Sequence, residues 1–262
     1  PNWRAAPGGG LAPGVVLPPA PGRPNPLDRL RPVTDAMLLD PPDGEWLLWR
    51  RTYDAFGYSP LKQINTTNVD DLRVAWTWSL APGPNESTPI IHDGVMFIHG
   101  YGDHVQALNA ATGDLLWQYS RRLPRGVTPS QKKGFSIYGN RLYVPTSDAH
   151  IVALDIKTGE VVWDTEVGDP DQRTRMTGGP LVAKGKVMIG TVGRIDGGPY
   201  IQALDAETGE PAWRFYTIAR PGEPGGNSWN GLPLEDRNGG SVWIPGSYDA
   251  VNNLAFFGPG NT

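Results

Sequence analysis

The sequence predicts an all-β protein, a β-propeller of four-stranded antiparallel blades that is incomplete in this chain. An eleven-residue pattern occurs three times, as ALNAATGDLLW at 107–117, ALDIKTGEVVW at 153–163 and ALDAETGEPAW at 203–213. The three closing tryptophans stand 46 and 50 positions apart, a repeat length in the range of propeller blades. The content of 34 glycines and 27 prolines suits many short strands joined by turns.

Each part of the repeat has a physical role. The Ala-Leu-Asp or Ala-Leu-Asn segment is the end of a short apolar strand. The Thr-Gly pair that follows supplies a positive φ angle and side-chain-to-backbone hydrogen bonds for a tight hairpin. The tryptophan then lies on the returning strand and can bury on the order of 200 Å². We therefore expect it to pin one blade to the next.

The chain begins with a segment of different composition. Residues 1–33 are dense in proline and glycine and have no periodicity, so they predict an extended arm or linker that is disordered unless it lies on a partner. The propeller domain is predicted over 34–262. Within it, 73–80 alternates as a strand does, with Val74, Trp76 and Trp78 on one face. This segment resembles the last strand of a blade whose other strands are not beside it in sequence.

Three units with four strand-like runs each follow. Their predicted strands are 88–92, 95–99, 104–109 and 115–119; 135–138, 141–146, 150–155 and 161–165; and 179–183, 186–191, 200–205 and 212–217. After a long loop at 219–238, a fourth unit is predicted to begin with strands 241–246 and 254–258. A blade with two strands exposes an unpaired edge. We therefore expect a second chain, a removed portion or an oligomer to complete the ring.

Composition excludes several classes of function. The formal net charge is −4 and no long basic run is present, which argues against nucleic acid as a partner. No apolar stretch is long enough to span a membrane. The absence of cysteine excludes disulfides, thiolate metal sites and cysteine catalysis. The four histidines lack the paired spacing of a zinc site, and neither a nucleophile elbow nor a glycine-rich phosphate loop is present.

A more specific resemblance covers about residues 43–262. The segments WRRTYDAFGYSPLKQINTTNVDDLRVAW (49–76), ESTPIIHDGVMFIHG (86–100) and GGSVWIPGSYDAVNNLAFFGPGNT (239–262) resemble the N-terminal half of the quinoprotein alcohol dehydrogenases. That family implies a periplasmic eight-bladed propeller, of which this chain would form about half. It also implies pyrroloquinoline quinone (PQQ) as cofactor and a calcium or lanthanide ion on the propeller axis.

The resemblance implies site residues one by one. Glu86 in NEST resembles the glutamate that hydrogen-bonds the quinone, and Thr146 in VPTSD resembles a threonine on the carboxylate side of the cofactor. Ser241 stands where the family has a small hydroxyl residue or alanine, and Trp243 in GGSVW resembles the tryptophan on which the quinone stacks. Asn261 in GPGN resembles a metal ligand. These residue types suit a flat polyanion and a hard cation.

The sequence also departs from the family. An adjacent cysteine pair after an RLP sequence is missing from RLPRGVTPSQKKGF (122–135), and KKG replaces an Asn-Arg-Gly motif whose arginine contacts the cofactor. Lys133 can supply the positive charge but not a planar guanidinium. The segment GRIDG (193–197) replaces one that supplies a metal-ligating glutamate, which leaves Asp196 as its only carboxylate. The catalytic aspartate of the family lies downstream of the Asn261 position.

Two functions remain open. The first is a PQQ-dependent dehydrogenase that oxidises a small alcohol and passes electrons to a cytochrome-type acceptor, with no catalytic residue expected in this chain. The second is a non-catalytic propeller scaffold that docks proteins and whose cofactor site has decayed. The retained Glu86, Thr146, Trp243 and Asn261 favour the first, and the missing cysteines and the altered arginine and glutamate favour the second.

Overall fold

The computed structural model describes residues 15–17, 22, 24–169, 174–237 and 239–260. Within these residues the strands form three four-stranded antiparallel sheets and one two-stranded hairpin, each in sequence order. We call the sheets blades 1 to 3 and the hairpin the half-blade. This arrangement confirms the prediction of four-stranded antiparallel blades.

The strand bounds follow the repeat closely. Blade 1 consists of β1 Ile90–His92, β2 Val95–Gly100, β3 His104–Asn109 and β4 Leu115–Ser120. Blade 2 consists of β5 Ser136–Tyr138, β6 Arg141–Pro145, β7 His150–Asp155 and β8 Val161–Glu166. Blade 3 consists of β9 Leu181–Ala183, β10 Lys186–Gly190, β11 Tyr200–Asp205 and β12 Pro211–Tyr216, and the half-blade consists of β13 Ser247–Asp249 and β14 Leu254–Phe256.

The first strand of each blade lies closest to the propeller axis. Strand β5 contacts β9, and β9 contacts β13, so the first strands of successive blades meet one another. In a propeller the strands that meet in this way surround the central channel. The segments that lead into these strands are therefore brought to one end of the axis.

The repeated pattern gives the same local geometry three times. Each pairing of a third with a fourth strand shifts register at its Ala-Leu pair, at 107/108, 153/154 and 203/204. At the following turn Asp155 Oδ1 accepts hydrogen bonds from the backbone N–H groups of Lys157 and Thr158. Asp205 does the same for Glu207 and Thr208. The short polar side chain thus closes the hairpin, as the sequence predicts.

The tryptophans of the repeat join neighbouring blades. Trp117 is fully buried, and its indole nitrogen donates to the carbonyl of Ile156 in the next blade at 3.0 Å. Its ring lies against Gly159, where an added Cβ would come within 2.5 Å of the ring. Trp163 likewise donates to the carbonyl of Ala206 at 3.2 Å. One repeat therefore supplies the tryptophan, and the next supplies both the carbonyl and the glycine against which it packs.

Part of the predicted N-terminal arm packs on the blades. A 3-10 helix at Pro26–Arg29 precedes a β-bridge between Val33 and Gly139, and Leu27, Leu30 and Val33 are buried in the core. The short helix α1, Asp35–Leu39, follows and is capped by the side chain of Thr34. The domain boundary at residue 33 stays a prediction. Most of 1–23 lies outside the described residues.

Two predicted strands differ in the structure. Residues 73–80 form no regular strand, because no described strand forms a hydrogen-bond ladder with them. Trp76 and Trp78 nevertheless pack on blade 1, donating to the Ala110 carbonyl and to Gln106 Oε1. The predicted strand 241–246 is also wrong, since the first strand of the half-blade is β13. Pro245 offers no N–H for a sheet ladder, so pairing begins after it.

Candidate functional site

The candidate site lies where the chain enters the first strand of each blade. Glu86, Lys133, Thr177 and Trp243 each stand three or four positions before β1, β5, β9 and β13, respectively. Because these first strands surround the axis, the four residues occupy equivalent places in successive blades. We call this group the axial rim.

Hydrogen bonds connect the axial rim from blade to blade. The N–H of Thr88 donates to the Lys133 carbonyl at 3.4 Å, and the N–H of Lys133 donates to the Thr177 carbonyl at 2.8 Å. The Thr177 hydroxyl then donates to the Trp243 carbonyl at 3.4 Å. The segments that carry Thr88, Lys133 and Thr177 are therefore each held by a backbone carbonyl of the next blade.

The side chains of the axial rim combine a cation with an aromatic face. The Lys133 ammonium lies 5.4 Å from the centroid of the Trp243 ring, a cation–π distance. The same ammonium forms an ion pair with Glu86. Trp243 is 40% exposed, so part of its indole ring is accessible to a ligand. An accessible indole face with a lysine beside it suits a flat, negatively charged ligand.

The other side of Trp243 is set by a short bridge. The N–H of Gly260 donates to the Ser241 carbonyl at 2.8 Å. A Cβ added to Gly260 would lie 2.7 Å from the indole nitrogen of Trp243, so a side chain at this position would displace the ring. Ser241 therefore helps to place Trp243 through its backbone. The predicted metal ligand Asn261 follows Gly260 and lies outside the described residues.

A cluster of ionisable groups is buried beneath the axial rim. Lys132 is 3% exposed and donates to the Met176 carbonyl at 2.9 Å and to the Ser130 hydroxyl at 2.7 Å. Burial lowers the pKa of Lys132 to about 8, although the charge of Asp103 opposes this shift. Asp103 is fully buried, and its Oδ1 lies 3.7 Å from Nε2 of His99.

The charges in this cluster depend on one another. Burial opposes ionisation of Asp103, but the nearby His99 and the charge of Lys132 keep the pKa of this carboxyl below its usual range. Burial also lowers the pKa of His99, which Asp103 only partly offsets, and so His99 is neutral. Near pH 7 the cluster therefore holds one ammonium and one carboxylate.

Thr146 belongs to a different group of residues from the axial rim. It is fully buried, and its hydroxyl donates to Asp148 Oδ1 at 2.6 Å and accepts from the His150 N–H at 3.2 Å. Asp148 in turn pairs with Arg121 at 2.7 Å. Arg121 follows β4, so this pair ties blade 1 to blade 2. The Thr146 hydroxyl is thus engaged in a contact between two blades.

Asp196 lies apart from the predicted cofactor residues. It is exposed and lines a pocket of about 350 Å³ that it shares with Glu166, Arg214 and Tyr216.

Within the described residues, a different set of three groups lies close enough to hold an ion: Glu45, His92 and Asp93. Both ring nitrogens of His92 are already engaged there, one by Glu45 and the other by the Arg31 carbonyl, and the Arg31 guanidinium pairs with Asp93. A cation therefore already occupies that cluster.

Thr177 is a rim residue that the sequence did not reveal. Its signal was the register of the repeat, since it precedes β9 as Glu86 precedes β1. The family resemblance pointed instead to Thr146 in VPTSD, and the role of Thr146 at the cofactor stays a prediction. Only the order of the strands around the axis shows which threonine shares the rim with Trp243.

Comparisons with known proteins agree with this architecture. Residues 46–262 match the family model for the PQQ glucose/ethanol/alcohol dehydrogenase β-propeller domain. The chain is 37% identical over 247 residues to the dehydrogenase subunit of a quinone alcohol dehydrogenase from Gluconobacter oxydans, which covers 83% of this chain and 32% of the relative. It is also 37% identical over 237 residues to the quinohemoprotein alcohol dehydrogenase ADH IIB of Pseudomonas putida, covering 83% of this chain and 34% of that protein.

Solved structures give the same result. The quinohemoprotein alcohol dehydrogenase ADHIIG of Pseudomonas putida HK5 superposes with a TM-score of 0.79 at 36% identity, over 88% of this chain and 37% of that one. A europium-containing methanol dehydrogenase gives a TM-score of 0.79 at 28% identity, over 87% and 45% of the two chains. The chain spans about a third of the length of the curated relatives it matches. The repeated blades, the axial rim and these matches together establish that the chain belongs to the PQQ-dependent alcohol dehydrogenase β-propeller family.

Proposed function

We propose that this chain forms the cofactor-binding part of a PQQ-dependent dehydrogenase that oxidises a small alcohol and passes electrons to a cytochrome-type acceptor. The observation that carries the proposal is the Lys133 ammonium beside the exposed face of Trp243 in a propeller of this family. PQQ is flat and carries three carboxylates. It therefore suits an aromatic face bordered by a cation.

Each rim residue has a defined task in this proposal. Trp243 provides the surface against which the rings of the cofactor stack, and Lys133 provides a positive charge for its carboxylates. Glu86 holds the Lys133 ammonium at the rim, and Thr177 adds a hydroxyl at the neighbouring blade. Bound PQQ would accept two electrons from the alcohol. Ser241 would act through the bridge that places Trp243, and Thr146 through the contact between blades.

The candidate metal ligands fit less well than the organic cofactor. A calcium or lanthanide ion needs several oxygen ligands around one point. Asp196 lines a pocket with Arg214, and Asn261 lies outside the described residues. One of the related solved structures is a europium-containing methanol dehydrogenase, which supports a metal ion as part of the proposed site. Asp196 and Asn261 remain candidate ligands.

The proposal extends to partners and location. Trp213 occupies the same place in the repeat as Trp117 but is 43% exposed, and so it offers a surface for the outer part of the next blade. We propose that a second half-propeller, from another chain or a further portion of this one, packs there and supplies the catalytic base. The quinohemoprotein relatives support a cytochrome-type acceptor.

The proposal of a periplasmic location rests on the family resemblance. Within the described residues, no helix has the length and apolar character needed to cross a bilayer.

Equilibrium dialysis of the purified protein against PQQ, with and without added calcium or lanthanide, tests the proposal. We expect binding in the wild-type protein and about fivefold or more weaker binding in Trp243→Ala, since one aromatic platform contributes about 1–3 kcal/mol. Trp213→Ala is the matched control, because Trp213 has nearly the same exposure as Trp243 and lies on a different part of the surface. Turnover of alcohols with an artificial electron acceptor would follow.

A second function has one observation in its favour. Asp196, the only carboxylate of the segment that would supply the metal-ligating glutamate, shares a pocket with Arg214. A propeller without a metal would act as a protein-docking scaffold. Failure of the wild-type protein to bind PQQ under every metal condition would reject the dehydrogenase and support the scaffold.

A further inference from the structure

The buried Lys132 has no role in the site as described so far. Lys132 and Lys133 are adjacent in sequence, yet their side chains differ in environment: Lys133 reaches Glu86 and Trp243, while Lys132 is 3% exposed. A buried lysine is uncommon because its charge loses hydration. Its presence immediately beneath the axial rim therefore calls for an explanation.

Lys132 forms half of a two-point connection between blades 2 and 3. The N–H of Lys133 donates to the Thr177 carbonyl, and Nζ of Lys132 donates to the preceding carbonyl, that of Met176. Two adjacent residues of one blade thus hold two adjacent residues of the next. The side chain of Lys132 holds the segment that carries Thr177. Because Lys132 and Lys133 are adjacent, the same contact also holds the backbone from which the Lys133 side chain extends.

The charge of Lys132 is balanced only loosely. Its two hydrogen-bond acceptors, the Met176 carbonyl and the Ser130 hydroxyl, are uncharged. The charged or titratable groups around it are Asp103, His99, Asp148 and Arg175. Asp103 has its Oδ2 engaged by the Ser147 N–H at 2.6 Å. No carboxylate holds the ammonium by a direct hydrogen bond within the described residues, so its field extends towards the rim.

We infer that Lys132 is a positioning residue for the quinone site: it fixes Thr177 and Lys133 at the axial rim, and its ammonium adds a second positive charge beneath them. The inference rests on the proposed function, since it names what strengthens PQQ binding at the same site. It assigns Lys132 no contact with the cofactor. A lysine with a purely structural role would hold the two blades together, but its charge would make no contribution to the affinity for an anionic ligand.

The pH dependence of PQQ affinity separates these two roles. Because burial lowers the pKa of Lys132 to about 8, its charge is lost between about pH 7 and pH 9. Asp103 stays ionised and His99 stays neutral in this range, since the pKa of each is lowered. At an effective dielectric constant near 20, a unit charge about 10–20 Å from a carboxylate changes affinity by about fourfold to fifteenfold. Because a bound anion also raises the pKa of Lys132, part of this change falls above pH 9, and we expect PQQ to bind about threefold to sixfold more weakly at pH 9 than at pH 7.

The experiment is equilibrium dialysis of PQQ against the purified protein from pH 6.5 to 9.5 at constant metal concentration. In Lys132→Met, whose unbranched side chain is one atom shorter and carries no charge, we expect weaker binding at pH 7 and no loss between pH 7 and 9. Hydrogen exchange in the cofactor-free variant gives a second readout. It should rise in peptides that cover 130–136 and 174–180 and stay unchanged in those that cover 150–166.

The possible outcomes separate the inference from the proposed function. Wild-type binding that stays constant from pH 7 to 9 overturns the role of Lys132 and leaves the dehydrogenase proposal intact, and this result needs no variant. Equal PQQ affinity in Lys132→Met and the wild type has the same meaning. If the wild-type protein binds no PQQ at any pH, both the proposed function and the role of Lys132 fall.

Discussion

Gly159 provides a direct test of how the tryptophan of one blade is held by the next. In Gly159→Ala the new Cβ would lie 2.5 Å from Cε3 and 2.9 Å from Cδ2 of the buried Trp117 ring. The substitution also places alanine at a φ of +70°. Gly185 is a matched control, because its φ is +68° and no heavy atom lies within 4 Å of an added Cβ. The two substitutions share the backbone strain and differ in the clash.

The expected losses of unfolding free energy in the two variants follow from backbone strain and from the clash with Trp117. Backbone strain in the left-handed region costs about 1–2 kcal/mol, which is the whole expected loss of unfolding free energy for Gly185→Ala. Displacement of Trp117 adds about 1–3 kcal/mol of overpacking. It also weakens the indole hydrogen bond to the Ile156 carbonyl, worth about 1 kcal/mol. Urea unfolding of both variants measures the difference. Losses that agree within about 0.5 kcal/mol would refute the idea that Trp117 and Gly159 hold the blades together.

Two further predictions concern ionic contacts. Burial would lower the pKa of His92, but its hydrogen bonds to Glu45 and to the Arg31 carbonyl raise it above the usual value. The free energy of unfolding that His92 contributes should therefore be complete below about pH 6.5 and be lost as the pH rises through the raised pKa. In His92→Gln, we expect the free energy of unfolding measured in urea to lose this pH dependence between pH 6 and 9. An unchanged pH profile would contradict the stabilising role of protonated His92. Asp148→Asn should cost about 1.5–3 kcal/mol in the same assay, because Arg121 loses its charged hydrogen bonds to the buried carboxylate while it keeps its ion pair with Asp164. The exposed Asp43→Asn is the control and should change stability by less than about 0.5 kcal/mol; equal effects would show that the Arg121–Asp148 pair contributes nothing.

The sequence predicted those parts of the fold that depend on local and periodic signals. The turns closed by Thr-Gly and the tryptophan contacts between blades repeat with the sequence pattern, and each is decided by residues of one repeat. The register shift at each Ala-Leu pair repeats in the same way, although the sequence did not predict it. The family resemblance was confirmed because it drew on several such segments at once. Glu86, Lys133 and Trp243, chosen by that resemblance, meet at one rim in the structure.

The remaining features depend on long-range pairing. Residues 73–80 have the alternation of a strand but no described partner, and Pro245 moves the start of the half-blade to β13. The sequence did not identify Thr177 as a rim residue, because which residues lie beside the propeller axis depends on the order of whole strands rather than on neighbouring residues. Leu27, Leu30 and Val33 are buried and hold the end of the arm on the blades. The sequence did not predict this contact, because the many prolines and glycines of the arm suggested an unpacked segment.

The hydrogen bonds that run around the axial rim separate the frame of the site from its chemistry. Thr88 and Lys133 donate through backbone N–H groups, and every acceptor is a backbone carbonyl. The side chain at position 133 can therefore change without removing either backbone hydrogen bond, whereas the link from Thr177 to Trp243 depends on the Thr177 hydroxyl. Of the three links along the axial rim, two would survive any substitution of the rim side chains other than proline, and so the charge at position 133 is separable from the placement of the blades.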